Sequence, residues 1–153
     1  YLNHASPLHA WREEQPLQDS LIGELWGDMP HNWASAECIR YLRHMLVLED
    51  GRKLRLLDGL LPVDLRERKG FTVTQTPTRF GRVSLDVQPS GVRGWKAHFA
   101  RIAGEAPESV ELRASLAPGA ELSRVQGAAM RKGANGEISI DPASSEWTAT
   151  WGD

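Results

Sequence analysis

The chain has 153 residues, 41% of them hydrophobic and 25% charged, with a formal net charge of −2. That composition suits one globular domain, or one large and one small unit, and is too apolar and too weakly charged for disorder. No apolar run approaches the ~20 residues that span a bilayer. A single cysteine, Cys38, excludes an internal disulfide framework and a Cys-rich zinc site, and the balanced charge argues against a nucleic-acid binder.

In chain order, Tyr1 opens the sequence without an initiator Met and without a basic-then-apolar leader, which reads as an excised segment or a processed chain. The composition changes near residue 50. The first 50 residues hold eight acids against three bases, four of the five histidines and three of the six tryptophans. Acids, imidazoles and indoles gathered together predict a polar, aromatic-lined surface, and the plainer alternative is core indoles with solvated acids. Ser6-Pro7 suits a helix start. Gly23, Gly27, Asp28 and Pro30 predict a structured loop from 23 to 32. The spacing of Cys38, Ile39, Leu42, Met45 and Leu46 predicts a helix from Asn32 to about Leu48, capped by Asn32 and stopped by Gly51.

From residue 51 the pattern turns to short alternating segments divided by Gly, Pro, Asn or Ser clusters. Strands are expected over 53–57, 71–76, 82–88, 95–102, 109–116, 121–126, 137–140 and 146–151. Gly133-Ala134-Asn135-Gly136 is expected to connect a hairpin. The fold expected is mostly β with N-terminal helices, an antiparallel β-sandwich following a helical pair.

Two clusters carry candidate chemistry. In Trp11-Arg12-Glu13-Glu14-Gln15, neighbouring helical side chains diverge by about 100°, so one carboxylate at most faces a given cleft. Beside an indole, a carboxylate can serve as acid or base, and a solvated helix face is the competing reading. The second cluster is Glu24-Leu25-Trp26-Gly27-Asp28-Met29-Pro30-His31-Asn32-Trp33. Sugar rings present an apolar face that stacks on indole and a hydroxyl rim that bonds carboxylates, amides and imidazoles, and this loop supplies both. A buried loop satisfying its own backbone is the alternative. Metal ligation is not expected, because His4/His9 and His31/His44 lack metal-site spacing. No cofactor motif is present.

The strings Trp11-x-x-Glu14-Gln15 and Gly27-Asp28-Met29-Pro30-His31-Asn32-Trp33-Ala34-Ser35-Ala36-Glu37 resemble the last hairpin of bacterial six-hairpin, (α/α)6-barrel glycosidases. So does the following helix, Tyr41-Leu42-Arg43-His44-Met45-Leu46-Val47. Leu54-x-Leu56-Leu57-x-Gly59-Leu60 and Thr76-Pro77-Thr78-Arg79-Phe80-Gly81 are similar to the passage from barrel to C-terminal β-sandwich in the α-L-rhamnosidase-like branch. The resemblance spans roughly residues 5–90. It implies that residues 1–50 close a toroidal barrel and residues 51–153 form the sandwich. It further implies a general base at Glu13 or Glu14, with Trp11, Glu24, Trp26, Asp28, His31, Asn32 and Trp33 around the sugar. The acid partner comes from an earlier hairpin in such enzymes, so this chain alone is expected to be inactive, its partners being the rest of the barrel and a carbohydrate. A non-catalytic carbohydrate-binding or interaction sandwich, using Trp95, Trp147 and Trp151 as a platform, is the second reading, although core or interface packing is the expected role of these indoles. A purely structural cap is the third. The compartment stays open, a periplasmic or secreted parent being compatible, and neither nucleic acid nor membrane is expected as a partner.

Overall fold

The computed structural model describes residues 30–133 and 137–152. Trp11, Glu13, Glu14, Glu24, Trp26 and Asp28, with the Ser6-Pro7 start and most of the 23–32 loop, lie outside the described residues. The chain divides into two compact units, Tyr1–His44 and Met45–Asp153. The described part of the first unit is mostly helix α1, Asn32–Leu46, whose last residues pass into the second.

Among the described residues, eleven strands make up the second unit. Sheet one is β1 (Val47–Asp50), β2 (Lys53–Leu56), β6 (Ser109–Leu112), β10 (Ile138–Ile140) and β9 (Met130–Lys132), in that spatial order. Sheet two is β3 (Phe71–Thr78), β4 (Gly81–Ser90), β5 (Gly94–Ile102), β11 (Glu146–Trp151), β8 (Ala120–Gln126) and β7 (Ser115–Ala117). All pairings are antiparallel except β2 with β6, which run parallel with Leu54 opposite Val110 and Leu56 opposite Leu112. The expected β-sandwich, mostly antiparallel and preceded by a helix, is therefore observed, and the first helix of the expected pair lies outside the described residues.

Alternation dictates which side chains fill it. Leu54, Leu56, Val110, Leu112, Ile138 and Ile140 point inward from sheet one, and Val83, Leu85, Val87, Trp95, Phe99, Trp147 and Trp151 from sheet two, all in one buried cluster. Phe99 and Trp147 stack with centroids 4.8 Å apart. Arginines knit the loops to this body. Arg101 donates to the carbonyls of Phe80, Ala103, Gly104 and Pro142, and Arg68 to those of Ser90, Gly91 and Gly94 while lying over the Trp95 ring. The turn into β4 presses against the loop after β5. A Cβ on Gly81 would stand 2.0 Å from the Ala103 carbonyl oxygen, and Gly81 holds φ at +104°. Edge strand β3 carries Pro77, which lacks an amide donor, and a bulge between Val73 and Thr76 where Gln75 has φ +48°. Both features are typical of a sheet edge.

Three local expectations change. The helix ends at Leu46, because Val47–Asp50 pairs with Leu56–Lys53 as β1, and Gly51 (φ +59°) turns the hairpin to β2. The ladder hydrogen bonds and the full burial of Val47 outweigh a helical repeat that could have run on. The 109–116 segment is two strands in different sheets, with Arg113 and Ala114 crossing between them. The expected apolar stripe of α1 is only partly covered. Cys38 is buried, whereas Ile39 is 69% and Leu42 44% exposed. Strand β9, not among the expected strands, pairs antiparallel with β10, Met130–Lys132 opposite Ile140–Ile138, and residues 134–136 of the expected hairpin connection lie outside the described residues.

Candidate functional site

Of the residues singled out for the sugar pocket, the described ones are His31, Asn32 and Trp33, and they stand together at the head of α1. The carbonyl of His31 accepts the first helical bond, from the Ser35 amide at 3.1 Å, and also the Ser35 hydroxyl at 3.1 Å. His31 therefore occupies the cap position expected for Asn32, one residue earlier. The His31 ring is tilted 45° to that of Trp33 with centroids 6.5 Å apart. Its Nδ1 is buried and has no hydrogen-bond partner among the described residues.

Trp33 is 70% exposed. Its Nε1 points to Glu37 Oε1 at 3.4 Å, and the other carboxylate oxygen of Glu37 is held by Arg40 at 2.5 Å. One helical turn thus presents an open indole face bordered by an imidazole, the exposed amide of Asn32, and a carboxylate fixed by its own ion pair. Such a turn can stack against an apolar ring face and exchange hydrogen bonds with its rim.

The sandwich's own indoles are disposed otherwise. Trp95, Trp147 and Trp151 are 1%, 2% and 0% exposed, so they pack the core and form no platform for a sugar. The outer faces of the sheets are polar. On sheet two, Asp86 accepts from Thr72 at 2.6 Å and Gln88 at 2.9 Å, which lowers its pKa from the usual 3.8, with a lesser contribution from the charge of His98. His98 meets Glu146 at 3.0 Å. On sheet one, Glu111 receives Lys53 at 2.9 Å and lies 3.7 Å from Arg55, which also pairs with Asp58 at 2.9 Å and Asp50 at 3.5 Å. The Lys53 hydrogen bond and charge, then the Ser109 hydroxyl and Arg55, hold the Glu111 carboxyl below its ordinary 4.5 against partial burial.

This sheet-one network was not foreseen. Its members come from distant segments, and the one available signal was parity, since 53, 55, 109 and 111 are the polar positions of alternating strands. Among the described residues no group of three or more His, Cys, Asp or Glu is arranged to hold a metal ion, and no helix is long and apolar enough to cross a membrane. No protein-family model, curated protein or solved structure matches the chain.

Proposed function

We propose that the chain is the C-terminal part of a bacterial six-hairpin, (α/α)6-barrel glycoside hydrolase, contributing a sugar-contacting turn at the head of α1 and then a structural β-sandwich. The observation that carries the reading is the exposed indole of Trp33. A chain that buries Trp95, Trp147 and Trp151 to 2% or less leaves this indole 70% open beside His31, Asn32 and Glu37. An aromatic face with a polar border is what a pyranose ring requires. In this reading Glu13 or Glu14 is the general base, and Trp11, Glu24, Trp26 and Asp28 complete the pocket. Inverting hydrolysis places two carboxyl groups ~6.5–9.5 Å apart around a water. The second group would belong to an earlier hairpin, so the chain alone does not turn over. The buried indoles of the sandwich then serve its core and form no aromatic ligand platform. The rival reading, a free-standing carbohydrate-binding sandwich with an aromatic platform, is disfavoured by the burial of its three indoles.

Two measurements test the proposal. Titration with neutral methyl glycosides is expected to quench tryptophan fluorescence, and Trp33→Ala to abolish the quenching. No quenching in the wild type, or undiminished quenching in the variant, overturns the role of this turn. Assay against aryl glycosides is expected to show no hydrolysis. Turnover that disappears in Glu13→Gln or Glu14→Gln would refute the assignment of the second carboxyl group to another segment.

A further inference from the structure

The parallel pairing of β2 with β6, and the antiparallel return of β10, bring three chain segments to one end of sheet one. There the exit of β2 (Asp58), the exit of β6 (Arg113 to Ser115) and the entry to β10 (Glu137) border a cleft of about 340 Å³. Arg55 and Glu111, from the outer face of the sheet, join them in its lining. We propose that this cleft binds a neutral polyhydroxylated ligand, a pyranose by size. The inference extends the carbohydrate reading to a second place on the molecule, distinct in sequence from the α1 turn.

Three features favour that ligand class. First, acceptors and donors are interleaved. The carboxylates of Asp58, Glu111 and Glu137 accept, the guanidinium groups of Arg55 and Arg113 donate, and a sugar hydroxyl does both at once. The Ser115 hydroxyl spends its proton on the Ala117 carbonyl at 3.0 Å and so adds an acceptor.

Second, the charges match once Lys53 is counted, because the three carboxylates face two guanidinium groups of the lining and the Lys53 ammonium, which bonds Glu111 and acts on Glu137. Arg55 lies between Asp58 and Glu111, so a cation drawn to either carboxylate meets the guanidinium, and an anion drawn to Arg55 meets both carboxylates. A neutral polyol bridging the two signs meets neither repulsion.

Third, the Arg113 and Glu111 walls are fixed before any ligand arrives. Arg113 donates from Nη1 to the Leu60 carbonyl, its own carbonyl accepts the Trp151 indole N–H at 3.0 Å, and Glu111 is held by Lys53 at 2.9 Å and Ser109 at 3.2 Å. Little side-chain ordering then remains to be lost on binding. The volume lies at the low end of small-molecule sites, about 300–1,000 Å³.

The test is amide-resolved NMR titration of the whole chain with methyl glucoside, methyl galactoside and methyl mannoside, and in parallel with acetate and guanidinium. Saturable shifts centred on residues 55–60, 111–115 and 137 are expected with at least one glycoside and with neither ion. Glu137→Gln, at an exposed position, is expected to weaken that binding about tenfold, with shifts elsewhere unchanged. Glu111→Gln should act in the same direction. Shifts confined to residues 31–37 overturn this site while leaving the α1 reading intact. Glycoside shifts at neither place overturn both. Saturation by guanidinium or acetate overturns the ligand class, and unaltered affinity in both variants overturns the site.

Discussion

Trp147 and Trp151 share the inward face of β11 and are 2% and 0% exposed, yet their indole N–H groups fare differently. Trp151 Nε1 donates to the Arg113 carbonyl at 3.0 Å, whereas Trp147 Nε1 has no partner among the described residues. Replacing either by Phe removes the same atoms from an equally buried place, so the transfer and cavity costs largely cancel between the two variants. What differs is the polar group. Trp151→Phe forfeits a hydrogen bond of about 0.5–1.5 kcal/mol and strands the Arg113 carbonyl, while Trp147→Phe relieves a buried orphan donor costing about 1–3 kcal/mol. A phenyl ring at 147 also keeps the stack on Phe99, now 4.8 Å between centroids. Trp151→Phe is therefore expected to be less stable than Trp147→Phe by about 2–4 kcal/mol. Urea unfolding followed by far-UV circular dichroism measures this directly, provided the two slopes agree. In melting temperature the gap exceeds about 8 °C for a sandwich of this size. Equal stability, or the opposite order, would refute the reasoning that polar satisfaction decides between these two indoles.

Other outcomes follow from the same contacts. Gly81→Ala is expected to cost about 3 kcal/mol or more, since the new methyl group meets the Ala103 carbonyl oxygen at 2.0 Å in a backbone with φ +104°; thermal melting checks it. Arg101→Met removes the donor shared by Phe80, Ala103, Gly104 and Pro142. It is expected to cost about 1.5 kcal/mol and to speed hydrogen exchange around residues 80, 104 and 142, where an unchanged exchange pattern would count against the clamp. Acid should destabilise the fold through Asp86 and Glu111. Hydrogen bonds from Thr72 and Lys53 respectively are the largest causes holding these carboxyls below 3.8 and 4.5. The unfolded chain then binds more protons than the native one as pH drops, so their stabilisation is complete above the unfolded values and is lost as pH falls through the folded ones. Denaturant midpoints measured from pH 6 downward should decline more gently in a Glu111→Gln, Asp86→Asn double variant, and an identical acid limb would contradict the assignment.

The amino-acid sequence by itself determined the β class, most strand positions and the start of the helix, because each rests on local periodicity. Val83-Leu85-Val87, Val110-Leu112 and Ile138-Ile140 alternate as half-buried strands must, and they do face the core. The Asn32–Leu46 helix begins within one residue of the expected cap, which falls on His31 and not on Asn32. Periodicity had less to say where long-range pairing competes with it. Val47 fits both a helical repeat and a strand, and only the ladder with Leu56 settles it as β1. Ile39 and Leu42 belong to an apolar stripe, yet they are exposed, since a stripe records which residues can be buried and not whether a neighbour covers them.

The same division holds for the sites. His31, Asn32 and Trp33 are contiguous, so one helical turn was enough to gather them. Arg55, Asp58, Glu111, Arg113 and Glu137 share no motif. They meet because β2 and β6 run parallel and β10 returns between β6 and β9, a topology that no local pattern specifies. Tertiary structure also separated the four tryptophans among the described residues. Composition alone could not divide six similar indoles, but a strand's inward face buries Trp95, Trp147 and Trp151, while the exposed head of a helix leaves Trp33 in water.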